Sequence, residues 1–507
     1  MIRKILIGIS LIPSMCLAQV DSVSIHYSHF IDSANIQNDI KVLADDSLLG
    51  RNTGDIGQKK AENFIKNRFI EMGVAPINNG SYLQLYDVVT NEFNTVSLQT
   101  NEVGSHSDKD VFSTVFFNDT VLSFDQVVFA GYGISSSEYD DYEGISVKDK
   151  LVFMFEENPR DLEGNLILSD EEIKKWYNND REKYAMELGA KGVVFVSTTY
   201  NSTKNYFSRL MKYRDISLYS PSTVFPSFYM RDAFFYHLFD CDSTMVVKYN
   251  LKNKSKKLLR TFDREMELTF TIESNRVIKQ SSNVAGYIAG SDSDAPWIVL
   301  TAHYDHEGVR GDNVYNGADD NASGTSTVLA IAEAFSKARD AGEVFNNNVL
   351  FLLVSGEEKG LLGSKHYVTD PIIPLDKTMC NLNIDMIGRT DTKHDSLDNY
   401  VYIIGSDRLS EELHTINENM NDLYCHLDLD YTYNSPDDPN RFYERSDHYN
   451  FAKNGIPVIF YYNGTHKDYH KPSDTEDKIQ YHLLVERARL VFHTTWYLAK
   501  RDTRMLN

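Results

Sequence analysis

Basic residues are in short supply in this 507-residue chain: 51 lysines and arginines stand against 73 aspartates and glutamates, for a net charge of −22. A polyanion such as a nucleic acid, or an anionic lipid surface, would be repelled overall, which argues against nucleic-acid binding. Cysteine is scarcer, with four in all. Cys16 falls in the leader discussed below, and Cys241, Cys380 and Cys425 can close one pair at most, so no disulfide framework exists and stability must come from a core. None of them are closely spaced, which excludes a zinc site built on paired cysteines. A membrane-spanning run is also missing, because the apolar stretch Ile5 to Ile12 is too short and Pro13 interrupts it. No period of roughly 20–50 residues repeats, which excludes solenoids and propellers.

What is present is a globular composition, 42% hydrophobic and 12% aromatic, in a chain long enough for two to four domains. Arg3 and Lys4 lead into the apolar run, and Cys16-Leu17-Ala18 ends on a small residue. That layout predicts a signal peptide over 1–18, cleaved after Ala18, and an exported chain, periplasmic or extracellular. Met15 stands where a lipidated cysteine would need a small residue, which disfavours a lipid anchor at Cys16.

Three textures follow the leader. Over 19–87 the apolar spacing is helical, as in Ile36, Ile40, Leu43 and again Ala61, Phe64, Ile65, Phe69, and the loop Gly50 to Gly54 splits it into two helices. Over 88–275 short β-rich runs predominate: Val111 to Phe117, Gln126 to Phe129, Leu151 to Phe155 and Gly192 to Val196. One helix, Asp170 to Leu188, precedes the last of these, so this region reads as a β-rich insert with one or two helices. Over 276–507 apolar strands (Trp297 to Ala302, Val349 to Val354, Met379 to Ile384, Tyr400 to Ile404, Pro457 to Tyr462) alternate with amphipathic helices. The pattern predicts an α/β fold whose mostly parallel mixed sheet is covered by helices on both faces.

Ligands of such sheets bind beyond the carboxyl ends of the strands. His303 and Asp305 follow the first strand, Glu357 and Glu358 the second, Asp385 the third, and His466, Asp468 and His470 the loop after Pro457 to Tyr462. Asp319 and Asp320 open the helix that begins near Ser323. Taken singly, each has an ordinary reading as a helix cap or a strand-end hydrogen bond. Gathered on one edge, so many carboxylates would repel one another unless cations hold them, and two divalent ions sharing a carboxylate answer that need. Imidazole nitrogen with carboxylate oxygen suits zinc; manganese or cobalt would fit the same donors.

These stretches resemble the co-catalytic di-zinc exopeptidases, the family of bacterial leucyl-type aminopeptidases and glutamate carboxypeptidases. The matching segments are Thr301 to Asp305, Asn316 to Gly324, Gly356 to Ser364, Asn383 to Gly388 and Asp468 to Thr475, with Leu49-Gly50-Arg51 and Thr53-Gly54 resembling the family's start. The resemblance implies two zinc ions: His303 and Asp385 on one, His470 and Glu358 on the other, and Asp320 bridging, with Asp319 a neighbour. It implies Glu357 as general base, Asp305 as the partner of the other ring nitrogen of His303, and Tyr469 as a hydrogen-bond donor to the developing oxyanion. Ser446-Asp447-His448 resembles a stretch lining the site, and Arg389 is placed to meet a substrate carboxylate or to form a structural salt bridge. The insert resembles a protease-associated domain through Phe129 to Ile134, Tyr139 to Tyr142, Val147 to Val152 and Ala190 to Val193.

The function implied is that of an exported zinc aminopeptidase acting on peptides. A carboxypeptidase of the glutamate-releasing kind would need clustered arginines, for which Arg389, Arg441 and Arg445 are the candidates. An inactive peptidase fold kept as a binding protein would be expected to have lost ligands, and none is missing here. The basic run Lys252 to Arg260 reads as a solvated turn in the insert. Oligomeric state and side-chain preference leave no mark in the sequence.

Overall fold

A computed structural model describes residues 20–502 apart from 91–93, 101–103, 107–108, 116, 138, 162, 214–215, 220–223, 242–247, 251–254, 258–262, 275, 293 and 395–398. The leader with its expected cleavage point lies outside the described residues, as does most of the basic run 252–260. The chain divides into two compact units, one made of the residues before Val88 together with those from Gln280 on, the other of Val88–Lys279.

The first unit is built on a mixed sheet. Its strands include β1 (Ile278–Ile288), β2 (Trp297–His303), β3 (Asn348–Val354), β4 (Thr378–Ile384), β5 (Tyr400–Ile404), β6 (Asp428–Asp430) and β7 (Val458–Tyr462), in the spatial order β6-β5-β7-β4-β2-β3-β1, with Leu83–Thr90 and Ala75–Pro76 also on β1. The central four, β7, β4, β2 and β3, are mutually parallel, while β1 and β5 run antiparallel to their inner neighbours. All seven residues of β3 are buried, which is the burial of a strand covered on both faces. Successive side chains alternate between two cores, as a period of two requires. Val349, Phe351 and Leu353 join the core that includes the helices Ser33–Leu43, Ile56–Glu71, Gly324–Asp340 and Tyr481–Lys500. Leu350, Leu352 and Val354 join the core under Leu362–Thr369 and His448–Ala452. The five expected strands of 276–507 are all present, with ends moved by at most one residue, and helices lie between them.

Register carries the argument from fold to site. His303 pairs with Val354 and Thr301 with Asn383, while Ile384 pairs with Tyr461. The carboxyl ends of the four parallel strands are therefore level, and the first residues beyond them share one edge.

The beginning of the chain is strapped to its end. The backbone N–H of Asp21 donates to the Tyr424 hydroxyl at 2.8 Å, and its carboxylate accepts from the Trp496 indole at 2.9 Å. Ser24 Oγ lies 2.7 Å from His493 Nδ1, and Tyr27 stacks on Trp496 at 5.6 Å.

The second unit is also an α/β layer. Its sheet contains a parallel set, Thr120–Phe129, Leu151–Phe155, Gly192–Ser197 and Ser227–Arg231, flanked by antiparallel strands. It is richer in helix than its composition suggests, with Asp170–Lys175, Asn178–Glu187, Tyr200–Tyr213 and Asp232–Leu238. Aromatic residues favour strands by type, but Phe234, Phe235 and Leu238 bury one helical face, and packing overrides the preference. The single helix expected over Asp170 to Leu188 is broken in two. Trp176 leaves the helical region at φ −115°, ψ 49° and Tyr177 is extended at φ −66°, ψ 164°. Arg181 makes the break tenable by donating Nε–H to the Trp176 carbonyl at 2.8 Å, which satisfies an acceptor left over at the helix end.

Candidate metal centre

The five expected ligands converge. Asp320 is the pivot: its Oδ1 lies 3.3 Å from His303 Nε2, and its Oδ2 lies 3.1 Å from His470 Nε2. Asp385 Oδ1 completes one side, 3.3 Å from His303 Nε2, and Glu358 Oε2 the other, 3.1 Å from His470 Nε2. Two compact donor sets that share Asp320 result, His303 with Asp385 and, opposite, His306 with Glu358; a third joins Glu358 to His470 and Glu307.

Asp385 and the loop that carries Asp320 are held from behind. Ser446 donates to Asp385 Oδ2 at 2.7 Å and itself accepts from Asn383 at 2.9 Å, which leaves Oδ1 turned toward His303. The backbone N–H groups of Asp319 and Asp320 donate to Asp474 Oδ2 at 3.0 and 3.1 Å. Gly317, at φ 55°, lets the loop pass the His306 ring; a Cβ there would lie 2.1 Å from the Asp320 carbonyl oxygen. Arg51 is wholly buried and donates to the carbonyls of Tyr304 at 2.8 Å, Asn316 at 2.6 Å and Gly317 at 3.1 Å, so the turn Asp46–Arg51 after the helix Ser33–Leu43 pins both donor-bearing loops.

The electrostatics call for a cation. Burial penalises a protonated His303, yet the carboxylates of Asp385 and Glu357 outweigh that penalty and hold its pKa well above the usual value. Burial likewise opposes protonation of His470, but contact with Asp320 and Glu358 pushes it up to about 11. Imidazoles pressed toward their charged form by the carboxylates around them mark a place where a divalent cation would take over that role. The donors, nitrogen from imidazole and oxygen from carboxylate, fit zinc.

Residues 283–495 match peptidase family M28. The likeness covers less than half of the chain. A protein of Arthroderma otae named "Probable leucine aminopeptidase" is 31% identical over 210 residues, 40% of this chain and 54% of that one. The chain thus spans about half the length of the curated relatives of that name it matches. A shorter match, 32% over 121 residues and 22% of this chain against 21% of the other, is to the BOS complex subunit ncln of Danio rerio. Among solved structures, an aminopeptidase from Aneurinibacillus sp. strain AM-1 aligns over 95% of this chain and 97% of its own with 17% identity and a TM-score of 0.48.

The remaining expected residues fall around the donors. Asp305 Oδ2 accepts from the Thr53 hydroxyl at 2.7 Å and Oδ1 from the backbone N–H of Glu357 at 3.2 Å. Its Oδ1 is 3.8 Å from His303 Nδ1, which lies nearer, at 3.2 Å, to the Asp305 carbonyl oxygen. The Glu357 side chain belongs to none of these donor sets, and burial followed by the charges of Glu358, Asp385 and Asp447 holds its carboxyl well above the usual range despite His303. Tyr469 stacks on His470 at 3.8 Å, and burial together with Asp320, Glu358 and Glu357 keeps its hydroxyl protonated.

Others lie further out. Arg389 is taken up by Asp468 at 2.9 Å, and Asp319 by His466 at 3.2 Å. His448 stacks on Phe460 at 4.6 Å, where burial pushes its pKa down to about 3. The sequence reading passed over His306, whose Nδ1 lies 2.8 Å from Glu358 Oε1 and 3.9 Å from Asp320 Oδ2. It also passed over Glu307, 3.4 Å from His470 Nδ1. The available signal for His306 was its place three residues after His303, where the chain has left β2 and turns back across the strand ends.

Proposed function

We propose that the protein is an exported aminopeptidase that hydrolyses the N-terminal peptide bond of peptides at a centre for two zinc ions. The observation that carries this reading is the Asp320 carboxylate, which faces His303 with one oxygen and His470 with the other. His303, Asp385 and Asp320 would hold one ion, and His470, Glu358 and Asp320 the second. When bound, the ions supply Lewis acidity and bring the pKa of water down to about 7.

The chain's own residues supply the rest. Glu357 stands beside a ligand without being one, and its raised pKa suits a base that takes the proton of the attacking water and returns it to the leaving amine nitrogen. Asp305 holds Glu357 in place through its backbone N–H. Tyr469, kept protonated, can donate to the oxyanion that develops on the scissile carbonyl. The surrounding carboxylates suit a substrate's free ammonium group. The leader at 1–18 is the basis for export, and the resemblance of 88–275 to a protease-associated domain is the basis for giving the insert an accessory role.

One observation favours the carboxypeptidase alternative. Arg389 and Arg441 are paired with Asp468 and Glu444, but Arg445 lies over the Phe442 ring and its charge reaches the Tyr469 hydroxyl. A panel of aminoacyl and carboxy-terminal chromogenic peptides, assayed with and without a chelator, separates the two. Chelator-sensitive release from free amino termini is expected, and release solely from peptides with blocked amino termini would overturn the aminopeptidase reading.

A further inference from the structure

The parallel strands of the second unit also present residues beyond their carboxyl ends, the place where such sheets bind ligands. Glu156 directly follows Leu151–Phe155, and its backbone N–H donates to the Val196 carbonyl at 2.9 Å at the end of the neighbouring strand. A cavity of about 440 Å³ opens here. Trp176 and Tyr177, turned out by the broken helix, line it together with Tyr206, Phe207 and Tyr229. Tyr206 and Phe207 sit one helical turn beyond Thr203, whose hydroxyl donates to the Glu156 carboxylate at 3.3 Å. Asn178 donates to the Tyr229 hydroxyl at 2.9 Å, tying the second half of the broken helix to a central strand.

Charge decides what such a cavity can take. Arg181 also lines it, yet Arg181 is 2% exposed, and it donates to the carbonyls of Trp176, Phe155, Glu156 and Glu157 and to the Asn158 side chain. It is a structural tie rather than an anion receptor. Glu156 is part-buried and accepts from a hydroxyl, and burial raises its pKa. Tyr177 and Tyr206 remain 62% and 63% exposed at the same cavity, two large ring surfaces left to solvent. Aromatic faces gathered about a carboxylate attract organic cations, through the ring quadrupole and the direct charge together.

We propose that this cavity binds a basic side chain, the guanidinium of arginine or the ammonium of lysine presented by a peptide, with its charge against Glu156 and its stem among the aromatic rings. The site is independent of the metal centre and of the activity assigned to it.

The test is a titration of the full-length chain with N-acetyl-arginine amide and N-acetyl-lysine amide, whose blocked amino ends keep them out of an aminopeptidase reaction. Trp176 is the reporter, read as the fluorescence change missing in Trp176→Phe, with calorimetry as a second readout. Saturable binding is expected, weakened about tenfold in Glu156→Gln and severalfold in Tyr206→Ala. Tyr206→Ala changes an exposed side chain, so it remains informative should Glu156→Gln fold poorly. Four results would each overturn the proposal: equal binding of N-acetyl-leucine amide, preference for a neutral oligosaccharide, Arg affinity unchanged in both variants, or no saturation of the wild-type chain by about 10 mM probe.

Discussion

Asp320 and Glu357 are both carboxylates at the same sheet edge, and substituting them should have opposite consequences. Asp320→Ala removes the group common to two donor sets, so elemental analysis should find the metal content reduced. Glu357→Gln leaves every donor in place and should retain metal while turnover falls by about 10²–10⁴-fold, the usual range for a general base. Ordinary activity in Glu357→Gln would remove that residue from its role. A second residue-scale prediction concerns His493, which burial beside Arg489 pushes from 6.5 down to about 3. The unfolded chain takes up this proton near pH 6.5 and the folded chain refuses it, so the stability His493 contributes is whole above that pH and lost as pH falls toward 3. Denaturant titrations of metal-free wild type and His493→Phe between pH 6 and 4 should show a slope smaller in the variant by up to ~1.4 kcal/mol per pH unit. At this scale the convergence of the donor residues was legible in the sequence because each follows an apolar strand or opens a helix. His306 was not, since nothing in a loop's sequence says which way it turns.

Arg51 shows how one element positions another. It ends the short turn Asp46–Arg51 between the helices Ser33–Leu43 and Ile56–Glu71, yet its guanidinium serves carbonyls at 304, 316 and 317. Arg51→Met should strand those acceptors in a buried place and cost about 3–5 kcal/mol, measurable by chemical denaturation, with a loss of metal affinity because the ligand loops lose their brace. Gly50 backs this up: at φ 63° its Cα passes so near the Gly308 and Tyr315 carbonyls that an added Cβ would lie 2.4 and 2.5 Å from them. Elements of 276–507 could be read from sequence because their apolar strands are continuous and their helices amphipathic. The helix over Asp170 to Leu188 could not, since the break at Trp176 is made tenable by a side chain five residues on and by the strand beneath it. In the same unit, aromatic residues carry a strand preference that their packing overrules.

At the scale of the whole molecule, the two units have separate cores and the donor sets all lie in the first. Ions that bind the folded first unit stabilise it by mass action, by about 4 kcal/mol when free metal is ~1,000 times the dissociation constant. Calorimetry with and without a chelator should therefore shift the transition of the first unit downward and leave that of the second in place; a uniform shift would mean the ions act elsewhere. The overall charge balance told which partners to dismiss, whereas the cavity beside Glu156 is assembled from four separated stretches and has no linear signature.

The strap of Asp21, Ser24 and Tyr27 onto Tyr424, His493 and Trp496 sets a timetable for the nascent chain. Asp21 and Trp496 are 475 positions apart, so at ~5–20 residues per second the amino end waits on the order of half a minute to a minute and a half for its last partner to be synthesised. Until then the discontinuous first unit lacks the helix Tyr481–Lys500. Val88–Lys279, whose residues have all been made by that stage, can condense first, and a ribosome halted before the final helix would release a molecule with one finished half and one open seam.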